Sequence, residues 1–227
     1  STSDERTKDD HIVSIFRTTT RSSYGLVTSA GRLVLAHVVE LPALAASPQT
    51  NVAGGIPADE LIGMTESTDP IPGEHVVAAI PMDQRDDGPT PAPLAIGTRA
   101  GVVKRWNREA PTTMDSWSVI DLKDGDSVLF AADAADEDRL VFVASDSSLL
   151  TFDAGNVRPQ GRTAGGMAGI RLAEGCTAIT FNVVPAGKIA WTYEEGDNGM
   201  FSASGAVVLT VAGDKDALPG TETARPR

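Results

Sequence analysis

The sequence predicts an all-β protein, a propeller-like array of about four four-stranded blades. Three observations carry this. The 227 residues include 22 Gly and 14 Pro but only three Trp, two Tyr and six Phe, with no long helical pattern. That mix favours short strands and turns over a helical bundle. Runs of four to eight residues rich in Val, Ile and Leu recur between Gly, Pro, Asp and Ser clusters. Two turn elements repeat along the chain, one of them at a spacing near fifty residues.

In chain order, residues 1–10 are polar and charged and are expected to form a flexible tail. His11–Phe16, Arg32–Val39 and His75–Ile80 supply the first blade, within 11–80. Leu41–Ala58 carries Pro42, Pro48 and Pro57, so it reads as a loop and not a membrane span. Val102–Trp106 and Val128–Ala132 belong to a second blade within 93–132. Val102–Trp106 alternates only partly, so some strands are expected to be buried on both faces. Leu140–Ala144, Leu149–Phe152 and Ala178–Val184 make a third blade within 139–184. Lys188–Tyr193 and Ala206–Val211 begin a fourth within 187–212. Together 11–212 reads as one domain and 213–227 as a C-terminal tail. The end at Arg227 suggests an excised piece or a truncated last blade.

The first repeated element is a small hydroxyl residue, two residues, then Gly or Ser, followed by a β-run. It reads Thr28–Gly31, Thr98–Gly101, Ser145–Ser148 and Ser202–Gly205. A β-run precedes each, so the element is a hairpin turn in which Gly supplies the positive φ. The second element is an aliphatic residue, a short gap, Gly and a strand. It reads Ile71–Gly73, Leu122–Gly125 and Leu172–Gly175.

The formal net charge is −12, which by itself argues against a polyanionic partner. Its distribution is uneven. Segments 11–39, 94–114 and 154–173 each carry +3, which leaves −21 on the rest. One cysteine, Cys176, excludes an internal disulfide; it reads as a small core residue in a reducing compartment. His11, His37 and His75 lack metal-ligand spacing. Residues 161–169 (GRTAGGMAG) lack the Gly-Lys-Ser/Thr ending of a phosphate-binding loop. Asp133, Asp136, Glu137 and Asp138 match no calcium loop and read as a solvated acidic turn. Trp106 and Trp117 read as core anchors.

Residues 96–106 (IGTRAGVVKRW) followed by 119–131 (VIDLKDGDSVLFA) resemble a blade of the C-terminal domain of type IIA DNA topoisomerase A subunits, the gyrase A and topoisomerase IV family. Residues 140–172 resemble the next blade, with Gly161-Arg162 through Leu172 matching a family stretch. Residues 28–42 and 191–220 are looser matches. The resemblance implies a β-pinwheel that binds and bends duplex DNA without reading sequence, for a catalytic core that changes DNA topology. It implies a domain without catalytic residues, since the family's catalytic tyrosine lies in that core. The ATP and Mg of the family's holoenzyme are likewise not expected to bind here. The implied partners are double-stranded DNA, the catalytic core that the same polypeptide family carries, and the ATPase B subunit. The implied place is the cytoplasm, with the nucleoid and without a membrane. Pro48–Pro57, where gyrases carry a Gln- and Arg-rich glycine box, has Gln49 and Gly54-Gly55 but no basic residue. Thr112–Ser118 has no box either, so a topoisomerase IV-like protein is expected.

The basic segments surround the repeated turns, so stacked blades would bring them to one rim. Phosphate contacts are therefore expected from Arg32, Arg99, Lys104, Arg105, Arg108, Arg158, Arg162 and Arg171. Two other readings compete: a propeller-like protein-interaction module that has lost DNA wrapping, and an enzyme with a central-channel site. For the latter the sequence offers no converging titratable groups.

Overall fold

The computed structural model describes residues 13–16, 18–41, 56–64, 71–82, 91–186, 190–192, 202–204 and 223–224. Their regular structure is almost wholly strand, joined by turns and loops. They divide into two compact units, one of residues up to Pro89 together with Pro111–Trp117, the other of Thr90–Ala110 with residues from Ser118 onward.

In the first unit, β1 (Ser23–Thr28) and β2 (Arg32–His37) form an antiparallel hairpin. β3 (Val76–Pro81) pairs with β1 on its other side. Gly31, at φ 76°, closes the hairpin turn, its amide donating to the Thr28 carbonyl at 3.0 Å. Tyr24, Leu26, Val34 and Ala36 pack with Ile62 from a short helix, α1 (Ala58–Met64). Asp59 in the first turn of α1 accepts the Val76 amide at 2.7 Å, tying the helix to β3. This helix falls at the end of the expected loop, and residues 42–55 of that loop lie outside the described residues. Val13–Phe16, expected within the first β-run, make no ladder; Ser14 Oγ instead accepts the Ala79 amide at 3.3 Å.

The second unit repeats the plan twice. β4 (Leu94–Thr98), β5 (Val102–Trp106) and β7 (Val128–Asp133) pair as β1, β2 and β3 do. So do β8 (Arg139–Ala144), β9 (Leu149–Asp153) and β12 (Ala178–Val184). The second turn element holds in all three repeats, with Gly73, Gly125 and Gly175 at φ 78°, 79° and 75°. In each repeat one amide of the first turn donates across to the start of the third strand at 2.8 Å: Ser29 to His75, Arg99 to Ser127 and Ser145 to Thr177. This pattern shifts the third hairpin turn by one residue from the expected frame. Ala144–Ser147 is the turn, and Ser147 takes the left-handed φ of 65°. The fourth expected turn is also revised. Ser202–Ser204 form a strand, β14, paired with β13 (Ala190–Thr192); Ala206–Val211 lie outside the described residues.

The fourth strand of each sheet comes from further along the chain than its own hairpin. β6 (Ser116–Ser118), which follows the β4–β5 hairpin, completes the sheet of β3, β1 and β2. β10 (Pro159–Gln160) and β11 (Met167–Ala168), which follow the β8–β9 hairpin, both line β5. β15 (Thr223–Ala224), expected from the sequence to lie in a C-terminal tail, pairs with β9. Each repeat thus hands a strand back to its predecessor, so its edge is covered by another segment of chain.

Within the second unit the two sheets share one core, with Ala95 and Val103 packed among Leu140, Phe142, Ala178 and Phe181. Gly97 makes this approach possible. A Cβ there would lie 2.1 Å from the Phe181 ring. Phe181 in turn lies 4.7 Å, centroid to centroid, from Phe142 at a tilt of 47°, a contact worth about 1 kcal/mol beyond its area. Trp106 and Trp117 are both buried, as expected of core anchors, whereas Cys176 is only half-buried.

Candidate nucleic-acid interface

The eight cations nominated from sequence separate into two groups. Four are engaged inside the protein. Lys104 and Arg105 are adjacent on β5, so their side chains leave opposite faces of the strand. Both are buried, at 0% and 1% exposure. The Lys104 ammonium donates to the carbonyls of Val119 (2.7 Å), Arg162 (2.9 Å) and Ala164 (2.7 Å). Three donors meet three acceptors, so the ammonium is saturated. Burial pushes its pKa down to about 8, with the nearby Asp121 carboxylate opposing the shift.

The Arg105 guanidinium donates to the carbonyls of Ala154 (3.0 Å), Val157 (3.2 Å) and Ala134 (2.9 Å). It also pairs with Asp136 at 2.7 Å. Neither Lys104 nor Arg105 presents a polar group to a phosphate. Their expected surface role is corrected to an interior one, because the carbonyls of crossing loops converge on β5 and need donors.

Arg108 and Arg32 are also committed. Arg108, at φ 62°, donates to the Ala92 carbonyl at 2.9 Å and pairs with Asp133; burial lowers its pKa to about 10. Arg32 pairs in a two-pronged geometry with the buried Glu74, with Nε to Oε1 at 2.6 Å. Desolvation raises the Glu74 pKa, but the hydrogen-bonded Arg32 guanidinium outweighs it and holds the carboxyl below 4.5.

The other four, Arg99, Arg158, Arg162 and Arg171, are exposed. Among the described residues none of them has an ion-pair partner. All four sit on turns and links of the second unit. Arg99 stands where the other repeats have Ser29 and Ser145, whose hydroxyls accept the amides of His75 and Thr177 at 3.1 Å. In this repeat Asp126 takes over the bridging, accepting the Ala100 and Ser127 amides at 2.8 Å. The side chain of position 99 is thereby released to solvent. The Arg171 link returns to the same turn, since the Gly169 and Ile170 amides both donate to the Gly101 carbonyl, at 2.9 and 3.1 Å. Arg158 and Arg162 flank β10, which runs parallel to β5 opposite Arg105 and Trp106. Of the other cations in the basic segments, Arg21 is exposed and Arg17 lies outside the described residues.

The acidic turn at 133–138 serves the fold. Asp138 accepts the Ala135 and Ala186 amides, each at 2.8 Å, while Asp133 and Asp136 pair with arginines. No group of three or more metal-ligating side chains occurs among the described residues. None of their helices is long and apolar enough to cross a membrane.

A blade-built, strand-exchanged all-β fold with arginines on its turns defines a class of protein, and known structures of that class exist. The C-terminal domain of DNA topoisomerase IV superposes with a TM-score of 0.62 at 23% identity, over 82% of this chain and 55% of that one. The DNA gyrase A C-terminal domain gives 0.53 at 18% identity, over 76% and 51%. The fold is the β-pinwheel of those domains. In sequence the chain is 26% identical to the DNA gyrase A protein of Mycolicibacterium smegmatis over 181 residues, 78% of this chain. It is 26% identical to that of Ureaplasma parvum over 167 residues, 73% of this chain. It spans about a fifth of the length of these relatives, 20% and 18%. No family model matches the chain. The chain is thus similar in sequence to DNA gyrase A proteins and shares the fold of the topoisomerase IV and gyrase A C-terminal domains.

Proposed function

We propose that this chain is a DNA-binding domain of a type IIA topoisomerase, from its DNA-cleaving A-type polypeptide. It binds duplex DNA through phosphates, without sequence preference, and bends it for a catalytic core that passes one duplex through another. In this reading the domain is non-catalytic and cytoplasmic, and its other partners are that catalytic core and the ATPase B subunit. The observation that carries the reading is the set Arg99, Arg158, Arg162 and Arg171, exposed and without an ion-pair partner among the described residues, in a protein of net charge −12. Cations on turns, free of carboxylate partners, are available to displace counterions from a phosphate backbone. The absence of a basic glycine box in the first blade supports topoisomerase IV-like bending over gyrase-type wrapping.

The test is binding of a mixed-sequence duplex to the whole chain at low salt, followed by ligation of nicked circles in its presence. The expected results are salt-sensitive binding and no shift toward the wrapped topoisomers. Absence of binding at low salt, or binding unaffected when all four arginines become Ala, overturns the proposal. One observation favours a second reading, that of a protein-interaction module: four of the eight nominated cations are engaged internally. Recovery of protein partners without duplex affinity would select it.

A further inference from the structure

The segment from Ala154 to Ala168 is laced along one strand, and the two buried cations of that strand do much of the lacing. Arg105 holds the Ala154 and Val157 carbonyls just before Arg158. β10 then pairs with β5, and the Asn107 amide donates to Gln160 at 3.1 Å. Lys104 holds the carbonyls of Arg162 itself and of Ala164, while the Asp121 amide donates to Ala164 at 3.2 Å. Beyond this, Gly166 fits against the Val103 carbonyl, where a Cβ would lie at 2.6 Å, and β11 pairs with β5. The exposed side chains of Arg158 and Arg162 therefore emerge from backbone whose carbonyls are gripped from within.

We infer that Lys104 and Arg105 are positioning residues for a phosphate-contacting segment: an internal two-sided clamp that holds Arg158 and Arg162 in the arrangement that meets the DNA backbone. The inference rests on the proposed DNA-binding role. A charge-assisted hydrogen bond is about twice as strong as a neutral one, so a carbonyl held by it restrains its peptide plane and narrows the directions open to the side chains that flank it. Preorganised arginines lose less conformational freedom on binding than arginines on a loose loop. The clamp thus raises affinity with charges that never touch the ligand. It also accounts for why two cations occupy a core that hydrophobic residues would fill at lower desolvation cost.

The test uses the whole chain and a mixed-sequence DNA duplex, with three substitutions compared: Lys104→Met, Arg158→Ala with Arg162→Ala, and all three together. The double arginine variant is expected to lose about tenfold in affinity and to reduce the log-log salt slope by about two. Lys104→Met is expected to lose severalfold, and to lose nothing further when the two arginines are already absent. Hydrogen exchange at the Asp121 and Asn107 amides is expected to speed up in Lys104→Met while that of the β8–β12 ladder stays unchanged. Lys104→Gln, which keeps part of the donor set, gives the same comparisons in milder form if the Met variant does not fold. An affinity loss from Lys104→Met that is the same with and without the arginines marks a merely structural lysine and overturns the inference. So does wild-type exchange at both amides in a folded variant. A wild-type chain that binds no DNA refutes the functional reading and the phosphate role together. The exchange data then show separately whether the clamp exists.

Discussion

Lys104 and Arg105 illustrate how a charge inside a protein acts through what it satisfies. A buried ammonium is costly unless each of its protons has an acceptor, and here three carbonyls supply them. Replacing Lys104 with Met removes the desolvation penalty but takes a donor from each of those carbonyls, of which Ala164 keeps the Asp121 amide. The expected net effect is a loss of about 2 kcal/mol, read from urea unfolding at neutral pH. At Glu74 the argument concerns pH. Its folded pKa lies below 4.5, so the folded state binds fewer protons than the unfolded chain between the two values. The stability it contributes is complete above about 4.5 and is lost as pH falls through the lower folded value. Wild type is therefore expected to be more stable than Glu74→Gln at neutral pH. The two unfolding midpoints should converge in strong acid, and a gap that persists there contradicts the assignment.

At the scale of elements, turns proved more legible than strand exchange. Gly73, Gly125 and Gly175 announce left-handed turns through local chemistry, and local chemistry is what a single sequence displays. The return of β6, β10 and β15 to earlier sheets depends on pairings between short, distant segments, and a two-residue strand such as β10 has no periodicity to read. The burial of Lys104 and Arg105 lies between these cases. The irregular alternation of Val102–Trp106 hints at a strand covered on both faces, and the structure shows it so covered. But the carbonyls that accept the two cations come from segments up to 60 residues away, and no local pattern announces them. Arg99 was legible as an exposed turn residue, although the Asp126 bridge that releases it was not. Two glycines give a matched comparison. Gly101 and Gly125 have nearly the same φ, 78° and 79°. A Cβ at Gly101 would meet the Ile170 carbonyl at 2.7 Å, whereas one at Gly125 meets nothing within 4 Å. Gly125→Ala should cost about 1 kcal/mol, the left-handed strain alone. Gly101→Ala should cost clearly more, since the link carrying Arg171 must also move. Equal losses in thermal unfolding would contradict this account.

For the whole molecule, the net charge of −12 and the proposed polyanionic partner are reconciled by where the cations are and by how many of those described are exposed. The sequence offers eight candidate cations in three basic segments. If all eight met phosphates, the affinity for duplex DNA would fall with a log-log salt slope near −7, at about 0.9 per neutralised phosphate. The structure engages four of them internally and leaves Arg99, Arg158, Arg162 and Arg171 exposed. Four contacts give a slope of about −3.6, hence roughly a 150-fold loss of affinity between 50 and 200 mM salt. The acidic remainder adds long-range repulsion that salt screens, so the measured slope should fall at or slightly short of that value. Titrating the whole chain against a mixed-sequence duplex across this salt range decides the matter. A slope near −7 would require all four internally engaged cations, Arg32, Lys104, Arg105 and Arg108, to be released on binding, whereas a slope near zero would place the contact outside phosphate chemistry altogether. Removing Arg99 alone should flatten the slope by about one, whereas Arg108→Ala, which breaks the pair with Asp133, should leave it unchanged.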